Sequence, residues 1–574
     1  MKTSQYLLLL FLLVVTLQAQ GPSTALPGQV ALPKPATPPS GETKNADPNK
    51  GTGIIRGRIM LANGRPARRA SIQLVSRGSR ATAAGEDGTY QFTDLPADSY
   101  RLSAGKPGYL VLEYGQAHAF ERGKVITLSD GEKVEKIDVT LPASGAISGR
   151  ISDENGDPVE NVTVRLLQLQ FIANRRQLMD VAAAGSRTTD DTGRYRIYGV
   201  PPGEYVVMAS VTDRQTDQPL GEDLSLPGYA PTYYPGATAV SQAQIVNVGL
   251  SEEAGGIDFP LATASTATLS GVSTDSRNLP ARILLDRSRR SGGFAERPTR
   301  GVVGADGSFK FENVPPGEYV LQSLGPGRGN ETEPDFQTMF ITMDGRNISG
   351  VSIQGVQGST LSGRVTFEGL SGDAKPPVVQ LTAWPTDFDR SPMLPADIAR
   401  TRVGEDGRFA LAGIQGPRRL RVMSGPPDWS LKVVRVNGFD VTDDVLSFGA
   451  RQESLSDVDV VLTNQGPTIS GTATDAQGHP AVDYSVVAFS TDPQRWYQRS
   501  RFMNFGRPGH DGTFTVSGLA PGAYFVAAVD TLQGAEGWGE WQDPDFLRAI
   551  SASATRVTLV DGAPISLVLR VVAR

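Results

Sequence analysis

Few residues in this chain have a type and spacing suited to chemistry. His118-Ala119-Phe120-Glu121 gives the His-x-x-Glu spacing that can set two ligands beside a zinc ion. A catalytic zinc also needs a third protein ligand and a positioned acid or base, held close by one fold. The other two histidines, His479 and His510, lie far down the chain in positions that read as turns, and there is no Cys. No catalytic residue and no metal site is therefore expected, and a metallocarboxypeptidase is the least supported reading. Acidic turns at Asp87, Asp191, Asp306, Asp406 and Asp511 could be taken for calcium ligands. They lack the dense Asp-x-Asp-x-Asp spacing that gathers six or more oxygens, and an aspartate bonding its own turn explains them as well. No cofactor is expected. What remains is recognition by aromatic rings, which stack on sugar rings while their polar edges meet hydroxyls. Tyr229, Tyr233 and Tyr234 crowd a Gly- and Pro-rich stretch, and Trp496, Tyr497, Trp538 and Trp541 crowd a second region. These seven are the candidate ligand-binding residues, with caps on a sandwich edge as the competing reading.

The elements that would carry these residues repeat. A run of the form Asp-Gly-x-aromatic, or a close variant, recurs with its aromatic at Tyr90, Tyr195, Phe309, Phe409 and Phe514. Intervals of roughly 100 residues are far longer than solenoid periods, so each unit is a whole domain. Every unit opens with a β-rich stretch containing a Gly, such as Ile55-Arg56-Gly57-Arg58-Ile59 or Leu361-Ser362-Gly363-Arg364-Val365. A Gly inside a strand signals a bulge or a close backbone approach. After the aromatic strand comes a second turn, Pro202-Gly203-Glu204-Tyr205, Pro316-Gly317-Glu318-Tyr319 or Pro521-Gly522-Ala523-Tyr524, whose Tyr is expected to pack inward with its hydroxyl on backbone. That turn has drifted to Ala97-Asp98-Ser99-Tyr100 in the first unit and Gly416-Pro417-Arg418-Arg419 in the fourth. Period-two strands close each unit, as at Ile137, Val139 and Leu141. About seven short strands per ~100 residues is the arithmetic of a Greek-key sandwich.

These motifs resemble the carboxypeptidase regulatory-like domain, a transthyretin-like sandwich that also looks like the B-type repeats of collagen adhesins. The resemblance implies an all-β tandem array of about five such domains, and it implies no peptidase activity. The expected divisions are a signal peptide at 1–19, a Pro-rich disordered linker at 20–52, and sandwiches at 53–142, 143–263, 264–356, 357–464 (divergent) and 465–574. Adhesin-type repeats often carry a Lys-to-Asn crosslink, but the opening strands here bear Arg, and Lys is scarce throughout. A self-crosslinked shaft is disfavoured.

Lys2 ahead of the apolar stretch from Leu7 to Val15, then Gln18 and Ala19, reads as a cleaved export signal. The chain is thus expected in the periplasm, on the cell surface or outside, with no transmembrane segment in the mature protein. A net charge of −6 with scattered Arg pairs gives no basic stripe, so nucleic acid is an unexpected partner. Short connections between units predict a moderately stiff, beaded rod. The expected function is a non-catalytic exported binding or spacer protein, its partner a polysaccharide or a cell-surface protein. Docking to a peptidase or an outer-membrane transporter is the alternative.

Overall fold

Each repeat opens with a strand that is held on both sides. In the computed structural model, which describes residues 51–573 apart from 77, 117–120, 173–174, 182–183, 212–227, 289–297, 328, 373, 427, 450–453, 510 and 536–537, the first is Gly53–Leu61. It runs antiparallel to Thr89–Leu95 and parallel to the short closing strands Lys133–Val134 and Val139–Leu141. The same arrangement recurs for Gly145–Ser152, Ala267–Thr274, Ser359–Glu368 and Ile469–Thr474. A parallel pairing of first and last strands requires the chain to cross over a second sheet, as Greek-key sandwiches do. In the first repeat that second sheet is Ser79–Ala83, Ser71–Val75 and Asp98–Gly105, with Leu112–Glu113 and Ile126–Leu128 along its edge. Inward residues of the two sheets form one apolar core per repeat, five in all among the described residues. The fourth repeat is the divergent one: its first sheet continues past the closing strand Ser454–Thr463 into a hairpin of Ser430–Val436 and Phe439–Asp440.

The opening glycines are explained by a close backbone approach. A Cβ on Gly57, Gly149, Gly271, Gly363 or Gly471 would stand 1.8 to 2.1 Å from a carbonyl oxygen of the closing segment, at Ile137, Ile257, Val351, Val458 and Leu567 respectively. The signature aromatic seals the same place. Tyr90 donates its hydroxyl to the Ile137 carbonyl at 2.6 Å, and Tyr195 to the Ile257 carbonyl at 2.8 Å. Two recurring sequence features therefore converge on one backbone group.

The second turn behaves as a tyrosine corner. The hydroxyls of Tyr100, Tyr205, Tyr319 and Tyr524 each donate to a carbonyl four residues upstream, at Pro96, Pro201, Pro315 and Ala520, over 2.6 to 2.9 Å. Tyr100 keeps this bond although its turn sequence has drifted. In the fourth repeat Arg418 takes the buried strand position that Tyr319 and Tyr524 occupy in their repeats.

The signature turns are held by carboxylates acting on their own backbone. Asp87 accepts from the Thr89 hydroxyl at 2.7 Å and the Thr89 amide at 3.1 Å. Asp306, Asp406 and Asp511 accept the amides of Ser308, Arg408 and Thr513 in the same way. One expected residue shifts: the second repeat uses Asp190 and not Asp191, with Asp190 accepting from Thr192 and Arg194. The turn there begins one residue earlier because Thr192-Gly193 replaces the Asp-Gly pair. Side-chain hydrogen bonds from Thr89, Thr192 and Ser308 come first among the causes that hold Asp87, Asp190 and Asp306 below the usual carboxylate range. A depressed folded-state pKa means the native state binds fewer protons than the unfolded chain, so this stabilisation is present above about pH 4 and is lost as pH falls through the native values. These turns are accordingly expected to lower the urea midpoint as pH falls below about 4.

The expected rod is not what the chain forms. The fifth sandwich contacts the first, second and fourth, and all the described residues belong to one compact unit. The reason lies in strands that are apolar on both faces. Ser485–Ser490 is buried at every position, and the last six residues of Gly203–Ser210 are too. One face of each enters its own sandwich; the other needs a cover. In the third repeat Leu284, Leu324 and Phe336 find theirs in Met393 and Leu394 of the fourth.

Candidate functional site

Several of the charged residues with chemical potential gather at the junctions between sandwiches. At the contact of first and fifth, Glu121 is the acid of the His-x-x-Glu spacing, and its carboxylate meets the Arg507 guanidinium at 3.1 Å, both side chains almost wholly buried. Arg507 also donates to the Arg122 carbonyl at 2.9 Å and pairs with Asp483. Lys124 adds a bond to the Val482 carbonyl at 2.6 Å, and burial lowers its ammonium pKa. His118 lies outside the described residues. Glu121 is thus committed to an ion pair that clasps two domains. His479 is an exposed turn residue whose amide donates to Asp475 at 2.8 Å, and His510 lies outside the described residues.

Losing one half of a buried pair strands the other charge, at about 3–5 kcal/mol. Arg507→Ala is therefore expected to part the first and fifth sandwiches. Spin labels on Gln73 and Ser553, easily placed in a chain without Cys, should report a longer and broader distance distribution in the variant.

The aromatic candidates fall into two groups. Trp541 is 6% exposed and stacks with Phe505 at 5.1 Å, while Trp496 is 8% exposed and donates its indole N–H to the Ser490 carbonyl at 2.7 Å. Both belong to a second core in the fifth repeat, where the amphipathic helix Pro544–Ser551 covers the outer sheet face with Phe546, Leu547 and Ile550. Tyr233 is likewise buried, against Leu167, Leu178, Val206 and Met208. Tyr234 packs edge-on against Phe259. Tyr229 is half-buried, donates to Glu154 at 3.2 Å, and has its hydroxyl pKa pushed up to about 12, burial first and Glu154 second. Trp538 lies on a two-residue strand paired with Ala535.

Tyr497 marks the junction of fourth and fifth. Its hydroxyl donates to Asp443 at 3.0 Å and its ring carries the Arg419 guanidinium at 4.0 Å. Asp443 also receives Arg501 at 2.7 Å, and the Arg499 guanidinium lies over Trp384 at 4.1 Å. Burial lowers the pKa of Arg421, whose donors are spent on the carbonyls of Arg499, Leu420 and Thr442. These arginines were missed as functional residues because scattered Arg pairs read as surface charge; here they are domain glue.

At the junction of third and fourth, Glu333 and Arg418 form a two-pronged pair at 2.8 and 3.0 Å with side-chain exposures of 0% and 1%. Burial pushes the Glu333 carboxyl above its ordinary value, against the pull of Arg418. The ion pairs at these junctions, Glu121 with Arg507, Asp443 with Arg501 and Glu333 with Arg418, hold domains together.

The fold and its junctions define a tandem array of β-sandwiches whose fifth member packs against the first, second and fourth. Residues 54–142 and 146–251 match the carboxypeptidase regulatory-like domain, two tandem copies that coincide with the first two sandwiches. No curated protein sequence matches the chain. Among solved structures, the TIE protein of Bacillus anthracis is 12% identical at a TM-score of 0.14, with 69% of each chain covered. A streptococcal ancillary pilin is 14% identical at a TM-score of 0.18, covering 53% of this chain and 99% of its own. BcpA, the major pilin subunit of Bacillus cereus, is 14% identical at 0.12 with the same coverage.

Proposed function

We propose that this chain is a non-catalytic, exported scaffold that binds polysaccharide through surfaces assembled between its sandwiches. The observation that carries the reading is that the recurring residues are consumed by folding. The glycines meet carbonyls, the tyrosines cap turns and the aspartates bond their own backbone. The one spacing that hinted at zinc chemistry gives its acid to Arg507. Export is supported by the charged, apolar and small residues of the first 19 positions. What differs among the sandwiches and remains exposed is left for recognition.

The test is a pull-down of the full chain lacking residues 1–19 on insoluble cellulose, chitin, xylan and peptidoglycan, with serum albumin as the reference. Retention on at least one, with no peptidase turnover, is the expected result. A chain that passes through all four, or that hydrolyses peptides, sinks the proposal. Trp541→Ala is unsuitable as a probe, since it opens a cavity in the second core of the fifth repeat at a cost of about 3–5 kcal/mol.

A further inference from the structure

The third repeat ends its seven-stranded sheet on a strand that lacks the usual protections. Phe336–Met343 pairs with Gly317–Leu324 at every one of its 8 residues, with no register shift. Its counterparts in the other repeats are shorter: Leu112–Glu113 with Ile126–Leu128, Thr232–Tyr233 with Ile245–Val248, Leu446–Phe448, and Thr555–Leu559, which carries Arg556. Sheet edges are normally blunted by shortness, charge, Pro or a bulge. The run Phe336-Gln337-Thr338-Met339-Phe340-Ile341-Thr342-Met343 has no charged residue, no Pro and no Gly.

Two hydrogen bonds fix the direction of its backbone groups. The Asp335 carbonyl accepts from the Gly325 amide at 2.8 Å, on the side of Gly317–Leu324, and the Phe336 carbonyl accepts from the Val356 amide at 3.2 Å on the other. Successive residues alternate edges in an antiparallel ladder, so Thr338, Phe340 and Thr342 aim their N–H and C=O groups away from the sheet. The Thr338 carbonyl receives the Gln337 side-chain amide at 3.3 Å. Among the described residues no strand lies along this edge beyond the Phe336–Val356 bridge. The side chains of the same three residues share the face of Phe336, while Ile341 and Met343 enter the core. Phe340 is 42% exposed.

We propose that this edge pairs, antiparallel, with the same edge of a second copy of the chain. A two-fold axis at Phe340 sets Phe340 opposite Phe340 and Thr338 opposite Thr342, and each pair exchanges its outward backbone bonds. Aromatic and Thr pairs are favourable across strands, and no like charges meet. A strand of unrelated sequence has no such match built in, whereas a two-fold copy brings it by symmetry. Growth stops at two, because the far end of the sheet, Ile348–Gln354, is broken by a register shift beside Gly350 at φ 71°. Pairing over residues 338–342 alone buries less than the ~1,200 Å² of a stable complex, so the dimer should be weak.

Sedimentation velocity of the full chain lacking residues 1–19, from about 1 to 100 µM, should show monomer and dimer in concentration-dependent exchange. Phe340→Lys puts like charges at the axis, and Thr342→Pro removes an outward N–H that the sheet does not use. Each should weaken the dimer tenfold or more without moving the melting temperature, and Thr342→Pro decides the matter if Phe340→Lys melts early. Phe340→Cys, in a chain with no other Cys, should oxidise to an interchain disulfide, since the Cα atoms of such a pair stand ~5.5 Å apart. Val302→Cys, at an 87% exposed position on another strand, should crosslink far more slowly. A chain that stays monomeric across the range overturns the proposal, and so does a dimer that survives both substitutions. A monomeric chain that binds gelatin peptides, and loses them in Thr342→Pro, would assign the edge to another protein and overturn the second copy. The polysaccharide reading is independent of each result.

Discussion

Glu333→Ala is expected to destabilise the third and fourth sandwiches by about 3–5 kcal/mol, the penalty for leaving a buried guanidinium without its counter-ion. Arg418 has no route to solvent at 1% exposure, and its remaining donors are already on the Gln415 carbonyl at 2.8 Å and the Ala383 carbonyl at 3.2 Å. The damage should spread because the segment bearing Glu333 is woven into the fourth sandwich. The Glu333 amide donates to the Ala412 carbonyl and the Ala412 amide to the Glu331 carbonyl, both at 2.9 Å, and the Arg400 amide donates to the Asn330 carbonyl at 2.8 Å. Gln415 reaches back to the carbonyls of Phe336 and Val356, and Gln322 exchanges bonds with Ser391 and Met393.

The paired substitution separates charge from shape. Glu333→Leu with Arg418→Met fills similar volume without burying ions, and such replacements are often neutral or stabilising by about 1–4 kcal/mol. Calorimetry of the full chain should therefore show one transition displaced downward in Glu333→Ala and restored in the double variant. Hydrogen exchange should assign that transition to residues 325–424. An equal loss in single and double variants would mean that packing, and not the ion pair, holds this junction.

Arg418 also shows what a sequence can and cannot disclose. Its turn reads as drift because the expected Tyr is absent, and the sequence alone offers no partner for a lone Arg. The partner is Glu333, in a neighbouring domain, and only the folded junction joins them. By contrast, the opening glycines, the corner tyrosines and the turn aspartates all act within about one domain, through local backbone geometry, and their roles follow from type and spacing. Asp190 is the exception, since a one-residue shift in a turn leaves the pattern of acids almost unchanged. The aromatic candidates in the fifth repeat read as ligand-binding residues from their type and clustering. The signal against this was present in Val486-Val487-Ala488-Phe489, an unbroken apolar run that requires burial on both faces and hence an outer cover. Trp496 and Trp541 belong to that cover. The folding back was hidden for the same reason: short connectors limit bending at each joint, but they say nothing of which sheet faces remain unsatisfied.

Gly149→Ala should be among the most damaging single methyl groups added to this chain. The new Cβ would stand 2.0 Å from the Ile257 oxygen and 2.5 Å from its carbon, both backbone atoms that no rotamer change can move. Relief requires the opening strand Gly145–Ser152 to part from the closing segment. That movement breaks the Ile257 amide's bond to the Ser148 carbonyl at 3.1 Å, the Arg150 amide's bond to Asp258 at 2.7 Å, and the Tyr195 hydroxyl's bond to Ile257 at 2.8 Å. Tyr195 is 4% exposed, so its hydroxyl would be left buried and unpaired, adding about 1–3 kcal/mol to an overpacking term of similar size. A loss of about 3 kcal/mol or more is expected for the second sandwich, large against the total stability of a small domain. Gly255→Ala is the matched control. Its Cβ meets nothing nearer than the Ser148 hydroxyl at 3.7 Å, so its effect should stay within about 0.5 kcal/mol. Because the fifth sandwich rests on the second through Arg176 and Asp543, Gly149→Ala should also raise hydrogen exchange in residues 540–551, which Gly255→Ala should leave protected. If both variants melt alike, the crowding around the opening glycine is not what makes it indispensable.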